Sequence, residues 1–220
     1  MLDLEKSWEL HDLVVIDVET LGLHPADGVC DIAAVRFSEG APVASFTSLV
    51  NPGKPIPEAA TAIHHITDAM VTGAPSLLEL AGDLLKVAEG ALPCAYSADF
   101  DRGFLHHSIT GKDCLAFDPD FSQWLDVLVA VRDVDRYTSG KKRHTLAAAC
   151  ARRGITIDGA HRALPDAITT GALLYEMLRR GEIKPCPLGK MLEHIGRRIL
   201  FQNKDYAEWR SKQPKLGATT

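Results

Sequence analysis

The chain has 220 residues, of which 46% are hydrophobic and 24% charged; such ordinary proportions exclude wholesale disorder and fibrous repeats, and about 150 residues per domain makes this one full domain plus a modest extension. Its five cysteines (Cys30, Cys94, Cys114, Cys150, Cys186) are odd in number, widely spaced and without a C-x-x-C pair, which argues against a disulfide framework or a thiolate zinc site. The first thirty residues carry Asp3, Glu5, Glu9 and Asp12 and no long apolar block, so no signal peptide or membrane span is expected and a soluble, cytoplasmic protein without a membrane partner is.

The net charge of −5 hides an asymmetry. From Lys184 onward eight Lys and Arg face three acids, a charge of +5, which leaves −10 on residues 1–183. A basic tail on an acidic body fits an arm for a polyanion; scattered Lys and Arg also make an ordinary solvated helical face, and charge alone does not choose.

In chain order, Leu13–Val18 is a β-branched run that predicts a buried strand. A turn-rich stretch from Gly22 to Gly28 follows. Cys30–Phe37 and Val43–Val50 predict two further strands joined around Gly40, so the chain opens as a three-strand meander. Asn51–Pro57 is a loop, and Pro75–Gly90 has helical apolar spacing ended by glycine. A fourth strand is expected at Leu92–Tyr96, then a helix over Phe100–His107. Asp120–Val131 predicts a helix, Arg136–His144 a basic loop, Thr145–Arg153 a helix closed by Gly154, and Pro165–Arg180 a long helix stopped by Gly181. Leu188–Leu200 predicts a last helix with a frayed polar end. Strands first, then strand and helices, give an α/β protein with a mixed central sheet and helices on both faces.

Four acids fall at strand ends or helix starts. Asp17 and Glu19 are two apart at the end of the first strand and so share a face, Cα atoms about 7 Å apart at ~3.3 Å per residue. Their repulsion needs a compensating cation or a bound proton, although such acids are also ordinary solvated turn residues. Asp101 opens the helix after the fourth strand, where open α/β sheets place ligands; it is equally a good first-turn helix residue, and Asp99 is a neighbouring rival. His161 and Asp166 are five apart, about 140° on one helix. Pro165 is tolerated in a first turn but not mid-helix, so the helix must begin at or near Leu164, with His161 in the preceding loop. Together Asp17, Glu19, Asp101 and Asp166 make an oxygen-only donor set suited to Mg²⁺ or Mn²⁺. A pair of such ions can clamp the attacking and leaving oxygens of an in-line phosphoryl displacement, and His161 could take the proton from water.

Read as motifs, Asp17-Val18-Glu19-Thr20 matches D-x-E-T, Cys30-Asp31-Ile32-Ala33-Ala34-Val35 resembles a strand typically written E-I-G-A-V, Phe100-Asp101 with Phe104-Leu105 resembles F-D-x-x-F-L, and His161 with Asp166 matches H-x-x-x-x-D. In this order they resemble the DnaQ-like 3′–5′ exonucleases of the DEDDh group, over roughly Leu13 to Leu178. The segment Ala62-Ile63-His64-His65-Ile66-Thr67 resembles the I-H-x-I-T of many members, and with the length and basic tail it is similar to the exonuclease X branch. The resemblance implies an RNase H-like exonuclease fold, an exonuclease domain over 1–183 and a basic C-terminal extension over 184–220. It implies that Asp17, Glu19, Asp101 and Asp166 hold two Mg²⁺ (or Mn²⁺), and that His161 activates the water releasing nucleoside 5′-monophosphates from a 3′ end. Thr20 and Leu21 then lie where members meet the terminal nucleotide, and His64 and Phe104 would line the substrate groove, Leu21 and Phe104 being equally readable as core. The expected substrate is DNA, single-stranded or frayed, with a role in DNA repair and a possible polymerase or repair partner; an exoribonuclease and a non-catalytic nucleic-acid or polymerase-binding module are the alternatives. Three departures stand out: Tyr96-Ser97-Ala98 replaces the usual H-N-A, Leu21 replaces a second threonine, and Asp99 adds an acid.

Overall fold

The computed structural model describes residues 2–109, 124–140 and 142–211, with side chains as far as residue 201. Five strands form one sheet: β1 Leu13–Thr20, β2 Val29–Ser38, β3 Ala41–Leu49, β4 Leu92–Ala95 and β5 Leu125–Asp126, in the order β3-β2-β1-β4-β5. β1, β2 and β3 pair antiparallel as the expected meander, whereas β4 and β5 run parallel to β1. β3 lies at an edge, largely exposed, and accommodates Pro42 there, where a missing ladder donor costs least.

Strand alternation divides the core. Leu13 and Val15 of β1 with Ala33, Val35 and Phe37 of β2 are buried on one face, against helices α5 Val127–Val134, α6 Leu146–Arg153, α7 Ala163–Arg179 and α8 Leu188–Ser211. Val14, Ile16 and Val18 with Ile32 and Ala34 are buried on the other, against α3 Leu77–Ala88 and α4 Ala98–Ser108. Helices thus cover both faces. Two short helices, α1 Glu58–His64 and α2 Asp68–Val71, enclose a satellite cluster of Leu21, Cys30, Ile56, Ala60, Ile66 and Val71.

Two expectations need correction. The helix expected over Asp120–Val131 begins only at Val127; Leu125–Asp126 add a parallel strand beside β4, and residues 120–123 lie outside the described residues. Asp126 explains the switch. Its Oδ1 accepts from Val129 N–H at 2.9 Å, capping α5, and its Oδ2 accepts from Ala98 N–H at 3.0 Å at the start of α4. One buried carboxylate thereby caps two helices. The second correction concerns the tail, where the final helix continues to Ser211 instead of fraying after Leu200. Leu188, Leu192 and Ile195 enter the apolar layer that holds Trp8, whose indole N–H donates to Lys184 O at 3.2 Å. Several tail side chains meet acids of the chain: Arg198 and His194 both contact Asp133, and Arg197 lies 3.5 Å from Glu193. No helix among the described residues is long and apolar enough to cross a membrane.

α7 packs on β1 and β2 at close range because Gly171 presents no side chain to the sheet. A Cβ at that position would lie 2.2 Å from Phe37 Cζ, and Phe37 is 1% exposed. In an exposed helix Gly→Ala is expected to stabilise by roughly 1 kcal/mol. Here the sign should reverse. Gly171→Ala is expected to lower the unfolding free energy by about 1–3 kcal/mol, the cost of overpacking a fixed core; a urea titration of the purified variant measures it.

Candidate active site

The site lies where β1 outruns β4. The parallel pairing of these strands covers only Leu13 to Val15, so the next turns of β1 have no strand on that side, and buried backbone donors there need other acceptors. Asp101, 4% exposed in the first turn of α4, supplies one: its Oδ1 accepts from Val18 N–H at 3.2 Å. This sets the Asp101 carboxylate against the backbone between Asp17 and Glu19. Asp99, its rival in the sequence, is two residues away on the helix, about 200° round, and its side chain is 70% exposed and paired with Arg102 at 3.7 Å.

Asp17 and Glu19 project from the α7 side of β1, continuing the alternation of Leu13 and Val15. Asp166 comes to meet them from the first turn of α7. One carboxylate oxygen from each of Asp17, Glu19 and Asp166 can be chosen so that all lie within 4.8 Å of one another. The helix starts at Ala163, next to the expected Leu164, with Pro165 inside the first turn. His161 precedes it in the loop, exposed, with a left-handed backbone (φ 66°) and its N–H donating to Asp166 Oδ2 at 3.1 Å. The five-residue spacing is thus bridged by a loop folded back on the helix.

The electrostatics of the cluster run one way. Burial, followed by the charges of Asp101, Glu19 and Asp166, pushes the Asp17 carboxyl well above the usual carboxylate range. Asp101 is also raised well above that range by burial, against the Val18 N–H bond. Glu19 is pushed up to about 7 by burial and by Asp166 and Asp31, with the Arg162 guanidinium opposing. Asp166 is raised by burial and held down by the His161 N–H. Ionised together these groups repel, and a cation among them removes the penalty. The donor set is all oxygen, which fits a hard divalent ion and no soft one.

The other expected residues lie round this centre in different ways. Thr20 is half-buried next to Glu19, and its Oγ1 donates to Gly22 O at 2.7 Å. Leu21 is 7% exposed in the satellite cluster, with its N–H donating to Gly28 O at 3.1 Å. His64 and Phe104, expected to line the groove, are both enclosed. His64 is 2% exposed; its Nδ1 accepts from Ile66 N–H at 3.0 Å, which leaves the proton on Nε2, 3.6 Å from Cys30 Sγ. Burial lowers its pKa, so the ring is neutral. Phe104 is 0% exposed, its ring centroid 4.9 Å from that of Phe100, in the layer under β1. Tyr96, in place of the usual histidine, donates from its hydroxyl to His144 O at 2.5 Å, tying the end of β4 to the basic loop before α6.

Two residues escaped the sequence reading: Asp31 and Arg162. Asp31 faces Glu19 across the β1–β2 ladder, 2% exposed, and pairs with Arg162 Nε at 2.8 Å. The signal was present, since a lone acid in the apolar strand around Ile32–Val35 must find a partner when buried. The ladder also carries an irregularity here: Glu19 opposes Asp31 while Thr20 opposes Val29, so Cys30 is bulged out of the pairing, as happens beside many active sites.

Residues 14–174 match the family described as Exonuclease. The chain is 41% identical over 173 residues to a DNA polymerase III subunit epsilon-like protein of Rhodobacter capsulatus, covering 75% of this chain and 23% of that protein. It is 30% identical over 168 residues to a PolC-type DNA polymerase III of Staphylococcus haemolyticus, covering 76% and 11%. The chain thus spans less than a quarter of the length of these relatives. Among solved structures, exonuclease X in complex with 5′-overhanging duplex DNA superposes with a TM-score of 0.62 at 26% identity, over 82% of this chain and 99% of that one. The ordered motifs, the sheet that carries them and these matches agree, and the chain belongs to the exonuclease family, in its DnaQ-like DEDDh group.

Proposed function

We propose that the chain is a metal-dependent 3′–5′ exonuclease that removes nucleoside 5′-monophosphates from DNA, acting on single-stranded or frayed 3′ ends. The observation that carries this is the convergence of Asp17, Glu19 and Asp166 oxygens within 4.8 Å, with Asp101 bonded to the intervening backbone. The family is divalent-metal dependent; two Mg²⁺ or Mn²⁺ ions held by Asp17, Glu19, Asp101 and Asp166 are the form proposed here. Bound there, such ions supply Lewis-acid charge for the attacking and leaving oxygens of an in-line displacement. His161, exposed and joined to Asp166 through its backbone N–H, would accept on its imidazole the proton of the attacking water. The water oxygen bonds to phosphorus, the bond from phosphorus to the 3′ oxygen breaks, and that oxygen is protonated from solvent. Thr20 and Leu21, which follow Glu19 along the chain, are the residues proposed to meet the terminal nucleotide.

DNA as substrate is supported by the DNA polymerase III relatives and by the DNA-bound exonuclease X structure. The same relatives support a polymerase or repair assembly as partner. A cytoplasmic location is proposed with it, in keeping with the DNA polymerase III relatives.

The deciding experiment incubates 5′-labelled single-stranded DNA and its RNA counterpart with the protein and Mg²⁺ or Mn²⁺. A 3′-shortening ladder on DNA, abolished by EDTA, is expected. A ladder on RNA alone transfers the assignment to an exoribonuclease, and binding without cleavage transfers it to a binding module. Asp17→Ala is expected to reduce cleavage to background, and His161→Ala to lower kcat by roughly 10²–10⁴, the usual contribution of a general base. Stability should report the metal independently. Glu19, with an ordinary value of 4.5 raised to about 7, contributes stability to the metal-free fold that is full below about 4.5 and lost as pH rises through about 7. Divalent ions reverse that loss, so Mn²⁺ should raise Tm more at pH 8 than at pH 5.5, as differential scanning fluorimetry would show.

A further inference from the structure

The loop that enters α7 is fastened from outside its own helix. Arg162 stands at the N-cap with an extended backbone (φ −137°, ψ 137°) and makes no capping bond with its own side chain. Asp31, on β2 and 131 positions away in sequence, fills that place: its Oδ2 accepts from Arg162 Nε at 2.8 Å and from Ala163 N–H at 3.4 Å. His161 donates its own N–H to Asp166. Three consecutive residues, His161, Arg162 and Ala163, are therefore each tied to a carboxylate. A non-glycine residue in the left-handed region, as His161 is at φ 66°, keeps that conformation only where its surroundings hold it.

The rest of α7 does not depend on this pair. Ala167, Leu173, Leu174 and Met177 are buried against the sheet and anchor the helix by packing. What Asp31 and Arg162 add is confined to the first turn and the residue before it, where Asp166 and His161 sit. Their position matters as well as their strength. Asp31 faces Glu19 in the ladder, so the bond runs from the strand beside the first two acids to the loop that carries the other two groups. The guanidinium also opposes the repulsion that the buried Asp31 exerts on Glu19, its neighbour across the ladder.

We propose that Asp31 and Arg162 are positioning residues, whose ion pair sets His161 and Asp166 in register with Asp17 and Glu19. The proposal rests on the exonuclease reading for its kinetic consequence, and on geometry alone for its structural one. Residues that orient ligands without touching substrate are commonly worth 10–100-fold in activity or metal affinity.

The test uses the full chain with Asp31→Asn, Arg162→Gln and Asp31→Glu. Asp31→Asn keeps an acceptor for Ala163 N–H but loses the charge; Arg162→Gln changes a side chain that is 43% exposed and so spares the core. Three readouts are taken: Mn²⁺ binding by calorimetry, amide hydrogen exchange across residues 160–166, and kcat and KM on 5′-labelled single-stranded DNA. Asp31→Asn and Arg162→Gln are expected to lower kcat roughly 10–100-fold with KM within about threefold. Mn²⁺ binding should weaken, and exchange should quicken at 160–166 while the rest of α7 keeps its protection. Asp31→Glu should recover most of the loss. Wild-type kcat, Mn²⁺ affinity and exchange in folded Arg162→Gln would overturn the proposal, as would equal impairment in Asp31→Glu and Asp31→Asn, or exchange that quickens throughout α7. A wild-type chain that shortens no 3′ end would instead sink the exonuclease reading, and the exchange and Mn²⁺ results would then decide the positioning claim by themselves.

Discussion

Asp17, Glu19 and Asp166 bring carboxylate oxygens within 4.8 Å of one another, and the repulsion among them is the constraint to which the surrounding structure responds. Carboxylates at that spacing in a partly dry site favour protonation, and all four acids of the cluster are raised. The fold opposes this only in part, through the Val18 N–H on Asp101, the His161 N–H on Asp166 and the Arg162 guanidinium near Glu19. Full compensation is left to a cation. A protein that only needed to be stable would not keep such a cluster, because apolar side chains of similar volume would cost less.

The sheet makes this arrangement affordable. Its middle strands are buried on both faces by apolar layers, so the rigid part of the molecule is separate from the charged part, which begins only where β4 ends and β1 continues. The acids come from three elements fixed in different ways: β1 by ladders on both sides, α4 by the Asp126 cap, and α7 by the close approach of Gly171 to Phe37. None of these supports touches the chemistry, yet each fixes one or two of the groups that would perform it.

Much of this was legible in the sequence, and the misses have physical causes. The meander, the fourth strand and the long helix were readable because hydrophobic alternation and glycine or proline punctuation act locally. Pro165 even located the start of α7, because a missing N–H has few tolerable places in a helix. Leu125–Asp126 read as helix because two residues are too few to show a period, and valines at 127, 129 and 131 suit either state once buried. α1 and α2 are only seven and four residues long and offer little periodicity. The enclosure of His64 could not be read from spacing, since motif resemblance gives order along the chain and not depth beneath the surface; for Phe104 a core position was already one of the two readings, and it is the one found. Asp31 was visible as a charge in an apolar strand, but its partner lay 131 residues away.

The unbroken alternation of β1 limits how this chain can change over evolutionary time. Alternation sends Asp17 and Glu19 toward α7 and their neighbours Ile16 and Val18 toward α4. Deleting or inserting a single residue in β1 would exchange those two sets, turning acids into oil and oil into the pocket. The strand can therefore accept many replacements in kind but almost no change in length, and natural variation in chain length should gather in the connections, away from the ladder between Leu13 and Glu19.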